Sequence, residues 1–146
     1  MTVLALTHYN LRASRELLDA LRDFYCTAVG LTQGERPPFS SFGYWLYVGN
    51  KDVLHLTQAH EGELRTPHVA TTFDHVAFTC GNRAEVEARL NALGIQFSVD
   101  CVPLTGQVQL FFQDPAGNGV ELNFEGHTDP QAREWTEPAS RQIAPD

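Results

Sequence analysis

Phe112-Gln-Asp-Pro-Ala-Gly-Asn-Gly-Val-Glu-Leu-Asn-Phe124 sets a turn and a strand back to back. Asp114, Pro115, Gly117 and Asn118 are turn formers, each for its own backbone reason. Beyond them, Val120, Leu122 and Phe124 alternate with Glu121 and Asn123, the period of a half-buried strand. A carboxylate at Glu121, flanked by apolar residues and facing away from them, needs a partner. Upstream, Gln107-Val-Gln-Leu-Phe-Phe112 reads as a strand and Ile95 to Val99 as a shorter one. Before these comes a helix capped by Asn82, with Val86, Leu90 and Leu93 on one face and Gly94 as its stop. Phe73-Asp-His-Val-Ala-Phe78 is the strand that opens the unit.

The same order stands earlier in the chain. Val3 to Tyr9 reads as a strand, and Ser14 caps a helix that runs to about Ala28. Leu17, Leu18, Leu21, Phe24 and Tyr25 give that helix its apolar face, and Gly30 ends it. A short strand over Leu31 to Glu35, the break at Pro37-Pro38, and an aromatic strand from Phe42 to Val48 follow. Gly49 to Asp52 supplies a turn and Val53-Leu-His-Leu-Thr57 returns. The expected fold is therefore α+β: two tandem βαβββ modules with curved mixed sheets, residues 1–57 and 73–124. A polar linker, 58–72, joins them, and residues 125–146 form an irregular polar tail.

The repeat carries chemistry with it. His75 follows His8 by 67 residues, and Glu121 follows His55 by 66. Each pair occupies equivalent strands, the first and the last of its module. One strand histidine is commonly a satisfied core or interface residue. Three histidines and a carboxylate at matched places in two equivalent units instead suit a divalent metal such as iron, manganese, nickel, cobalt or zinc. Leu54 and Leu56 flank His55 as Val120 and Leu122 flank Glu121, so the ligands point into a cleft, away from the helices.

Composition excludes other classes. A net charge of -8, from 18 acidic and 10 basic residues with Lys51 the only lysine, disfavours nucleic acid. No apolar run approaches a membrane span or a signal segment. The three cysteines have no CxxC spacing and fit a reducing compartment, so a cytoplasmic protein is expected. His60, His68 and His127 lie in polar stretches and read as solvated, and Asp114 reads as a turn residue. Tyr44, Trp45, Phe111 and Phe112 are candidates for an apolar pocket wall. Arg12 and Arg36, near strand or loop ends, read as solvated surface charges, with contact to a substrate anion as the alternative.

The paired modules, the strand histidines and the Asp-Pro-Ala-Gly-Asn-Gly-Val-Glu ending resemble the vicinal oxygen chelate superfamily over about residues 3 to 124. That superfamily includes glyoxalase I, extradiol dioxygenases, and fosfomycin- and bleomycin-resistance proteins. The resemblance implies His8, His75 and Glu121 as metal ligands, while His55 stands where glyoxalase I carries a glutamate. The usual second-half tyrosine of the extradiol enzymes is missing, as are the lysine of the fosfomycin enzymes and the basic residues suited to glutathione. Four ligands on an octahedral ion leave two positions for two adjacent substrate oxygens, which suits a Lewis-acid lyase or isomerase. Three ligands leave room for dioxygen, and an iron dioxygenase becomes natural. A non-catalytic small-molecule-binding resistance protein is the third alternative. In the favoured case Glu121 serves as both ligand and base, on a small-molecule substrate. The open sheet edges and cleft predict a homodimer.

Overall fold

The structure, a computed structural model, describes residues 2–126, so His127 and the tail beyond it lie outside the described residues. The chain divides into two compact units between Val69 and Ala70. The first contains β1 (Tyr9–Ala13), α1 (Arg15–Phe24), a π-helical turn (Tyr25–Val29), β2 (Thr32–Gly34), β3 (Gly43–Val48) and β4 (Lys51–Gln58). The second contains β5 (His75–Cys80), α2 (Arg83–Ala92), β6 (Ser98–Cys101), β7 (Val108–Gln113) and β8 (Gly119–Phe124). Each is a βαβββ module with its own four-stranded mixed sheet, in the orders β1-β4-β3-β2 and β5-β8-β7-β6. First and last strands run parallel, and the remaining pairs are antiparallel. The fold is α+β and glyoxalase-like. No helix among the described residues is long and apolar enough to cross a membrane.

Alternation sorts the two faces of each sheet. In the first module Leu46, Leu54 and Leu56 are fully buried and α1 packs on β1, β3 and β4, with Leu18 and Leu21 turned inward. Ser14 caps α1 by accepting from the Leu17 amide, and Gly30 ends the turn beyond it in the left-handed region, φ 102°. In the second module Leu110, Val120 and Leu122 are fully buried, with Val86 and Leu90 of α2 also buried.

Several local expectations are corrected. The first strand begins at Tyr9, not Val3, because pairing with β4 starts at Tyr9 opposite Leu54. Val3, Leu4 and Leu6 are exposed. Asn82 makes no side-chain cap; it takes a left-handed backbone and its carbonyl accepts from the Val86 amide. Leu93 ends the helix and is exposed, so the apolar face of α2 is narrower than its spacing suggests. The strand expected over residues 95–99 forms at Ser98–Cys101, where β7 supplies its partner.

Candidate metal centre

Register makes the two modules comparable. Asn10, two residues after His8, pairs with His55; Ala77, two residues after His75, pairs with Glu121. Two steps along a strand return to the same face. Each module thus carries a histidine and a second potential ligand at the same offset across its parallel strand pair.

In the first module the groups form a stack. The His55 ring lies between Trp45, at 4.0 Å and 7°, and His8, at 3.6 Å and 17°. Trp45 is the cross-strand partner of His55, which places it on the ligand face. His55 Nε2 lies 2.6 Å from Asp52 Oδ2, and His8 Nδ1 lies 2.8 Å from the Thr7 hydroxyl. Burial is the main cause that holds His55 below the usual histidine pKa, opposed by the Asp52 carboxylate and aided by the charges of His8 and Arg36. Asp52 is in turn lowered, chiefly by its hydrogen bond with His55.

Asp52 was missed in the sequence, where it counted as a turn residue. Residues three apart on a regular strand face opposite sides. Here Leu46 pairs with Leu54 but Tyr47 pairs with Asp52, so Val53 is an extra, bulged residue. The bulge returns Asp52 to the face of His55. A polar residue just inside a hairpin turn, close to a candidate ligand, was the only sequence signal.

In the second module the pairing is direct. His75 Nε2 lies 3.3 Å from Glu121 Oε1, and His75 Nδ1 lies 2.7 Å from Asp74 Oδ2. Gln109 and Asn123 each donate to Glu121 Oε2 at 3.2 Å. His75 pairs with Gly119, where a Cβ would come within 2.4 Å of the Asp74 carbonyl and 2.9 Å of the His75 Cβ. The glycine is what lets the histidine's backbone come so close.

The donor chemistry fits a divalent ion. His8, Asp52 and His55 present ligand atoms within 4.8 Å of one another. Two ligands on one ion, at bonds of about 2.1 Å, lie at most about 4.2 Å apart. An imidazole binds metal in its own plane, so rings stacked at 3.6 Å reach one ion only after one of them turns. His8 is exposed and precedes β1, so it is the ring with room to turn. His8 Nδ1, His55 Nε2 and His75 Nδ1 each meet an oxygen partner that orients the ring, and the second nitrogen of His75 faces Glu121.

The other candidates fall where alternation puts them. Phe111 is the cross-strand partner of Glu121 and meets His75 edge-on at 5.8 Å. Two of the expected pocket residues are corrected. Tyr44 pairs with Leu56 on the helix-covered face and donates to Asp19 of α1 at 2.6 Å. Phe112 pairs with Val120 on the buried face of the second sheet. His60 and His68 are exposed. Asp114 accepts from the Ala116 and Asn118 amides, closing the turn before β8.

A family model described as the Glyoxalase/Bleomycin resistance protein/Dioxygenase superfamily matches residues 6–122. The chain belongs to this superfamily. It is 34% identical over 110 residues to Glyoxylase I 4 of Arabidopsis thaliana, covering 72% of this chain and 63% of that relative, so it spans under two-thirds of the relative's length. Lactoylglutathione lyase from Agrobacterium tumefaciens is 25% identical with a TM-score of 0.60, over 85% of this chain and 96% of that one. A fosfomycin resistance protein from Listeria monocytogenes, 17% identical with a TM-score of 0.62, covers 91% of this chain and 98% of its own and shows the fold alone. The chain is thus a distant homologue of glyoxalase I within a superfamily that includes metal-dependent enzymes.

Proposed function

We propose that the protein is a divalent-metal-dependent lyase or isomerase of glyoxalase type, working as a homodimer on a small substrate with two adjacent oxygens. His8, His55, His75 and Glu121 bind the metal. The observation that carries this is the shared register: both modules set a histidine two steps before the partner of a second ligand. Bound metal supplies Lewis-acid stabilisation of the charge that develops on the chelated oxygens. Glu121 moves the proton from the carbon beside the carbonyl to its neighbour. Its Oε1 points to His75, while Gln109 and Asn123 hold Oε2. Asp52 and Asp74 orient His55 and His75.

A second reading has its own support. Asp52 occupies His55 Nε2 and Trp45 covers one ring face, so His55 is suited to act as a neighbour of the metal. His8, His75 and Glu121 would then leave three open positions for an iron dioxygenase.

The test is to reconstitute untagged protein with ferrous iron and, separately, with nickel, cobalt, manganese or zinc. α-Keto aldehydes, offered with a thiol, are assayed for isomerisation and catechols for oxygen uptake. The expected result is isomerisation with a non-redox metal, lost in His55→Ala together with at least about 10-fold in metal affinity. Oxygen uptake with iron alone, retained by His55→Ala, would overturn the assignment.

A further inference from the structure

A cavity of about 490 Å³ lies against the first module, lined by Glu35, Arg36, Pro37, Trp45 and Tyr47. Trp45 and Tyr47 pair with His55 and Asp52, so two of its walls stand on the ligand face. Arg36 is the remaining charged group besides Glu35. Its guanidinium is held in place: Nη1 donates to the Ser41 carbonyl at 2.9 Å and Nη2 to the Ser41 hydroxyl at 3.3 Å. It also rests over the Phe39 ring at 4.9 Å, and Phe39 in turn meets Trp45 at 6.1 Å. Gly43 makes the room, since a Cβ there would come within 3.0 Å of Nη2 and within 2.1 Å of the Leu56 carbonyl.

Charge pairing distinguishes Arg36 from five other arginines. Arg12, Arg15, Arg22, Arg65 and Arg83 each face a carboxylate within ion-pair distance, whereas no described carboxylate pairs with Arg36. Its Nε is buried and has no acceptor among the described residues. A half-buried, fixed guanidinium with no carboxylate paired to it among the described residues is costly to leave alone and well matched to a carboxylate.

We propose that Arg36 binds an anionic group of the substrate, so that the preferred substrates are carboxylates with a flat apolar portion lying over Trp45 and Tyr47. This rests on the metal-chelating function proposed above for the chelating end of the substrate, and adds the far end. A purely structural Arg36, clasping the loop through Ser41, would make no distinction between charged and neutral ligands.

The experiment compares probes that share two vicinal oxygens and differ in the anion. Catechol, 3,4-dihydroxybenzoate and 3,4-dihydroxycinnamate are titrated calorimetrically into metal-loaded wild type and Arg36→Gln. At least one carboxylate should bind wild type about tenfold more tightly than catechol, the scale of one charge-assisted hydrogen bond. Arg36→Gln should abolish that ratio. Arg36→Lys, which keeps the charge but not the fork, should retain part of it and serves if Arg36→Gln does not fold. A ratio near one in wild type, or one that persists in Arg36→Gln, overturns the proposal. Absence of metal-dependent catechol binding would count against the chelation reading alone. Cinnamate titrated into metal-free protein still tests Arg36, since binding that is absent, or unchanged in Arg36→Gln, overturns the anion site.

Discussion

In the second module a histidine and its carboxylate face each other across one parallel strand pair, His75 Nε2 to Glu121 Oε1 at 3.3 Å. In the first module His55 fills the place of Glu121, and the carboxylate arrives from Asp52 on the same strand at 2.6 Å. The backbone explains the difference. Gly119 opposite His75 lets that histidine sit inside the strand pair. The register of the first module carries Val53 towards the corresponding place, and its pairing begins only at Tyr9, so His8 is left ahead of the strand. One residue at one register position therefore decides whether the histidine is clamped or has room to turn. The bulge at Val53 then restores a negative partner that the strand position no longer supplies.

The largest way to break this contrast is Gly119→Val, which gives the second module the residue of the first. The new side chain meets the Asp74 carbonyl and His75, so urea denaturation should show a loss of about 1–3 kcal/mol. Gly81→Ala, at a position open to solvent, should stay within about 0.5 kcal/mol. Equal losses would remove the steric account.

A finer probe compares the two carboxylates that touch imidazoles from outside the matched positions. Asp52→Asn keeps the shape and removes the charge beside a buried ring. Competition against a chromophoric chelator should show metal affinity reduced about 10-fold or more. Asp74, whose side chain is 50% exposed beside His75, should matter less when changed to Asn. The reverse order would place the more strongly coupled partner in the second module.

The smallest effect separates the two faces of β3, Trp45 on the ligand side and Tyr44 under α1. The Tyr44 hydroxyl is the leading cause that holds Asp19 below its ordinary 3.8, with Arg15 and Arg22 adding to it. A depressed carboxyl pKa favours the folded state above the unfolded value, and that contribution fades as pH falls through the native value. Tyr44→Phe should move Asp19 up towards 3.8 in a carbon-detected NMR titration and shrink the acid-sensitive part of stability. Metal affinity should not change. A fall in metal affinity would return Tyr44 to the site.

Much of this was legible in the residues themselves. Alternation in Gly119–Phe124 and in Val53–Thr57, with turn formers at Asp114–Asn118 and Gly49–Asn50, marks the closing strands of both modules, and the matched spacing of four residues marks the candidate ligands. Other parts depended on pairing. The apolar run at Val3–Leu6 looks like a strand until it is known that pairing with β4 begins only at Tyr9. Tyr44 and Trp45, like Phe111 and Phe112, are adjacent and must face opposite ways, but only their cross-strand partners say which faces the ligands. Asp52 was hidden by parity, because a single bulged residue reverses the face that sequence spacing assigns.

The parallel pairing of first and last strands also bears on how the molecule is made. In each module the two halves of a candidate ligand pair lie at or just before the earliest strand and on the latest one, so they meet only after every intervening strand and helix has been laid down. Such long-range closure is slow to find and late to form. A nascent chain that stops short of β4 lacks the strand partner of His8, and one that stops short of β8 lacks that of His75. Assembly of either candidate pair is therefore a property of a finished module, and an ion captured there would stabilise only chains that have completed the closure.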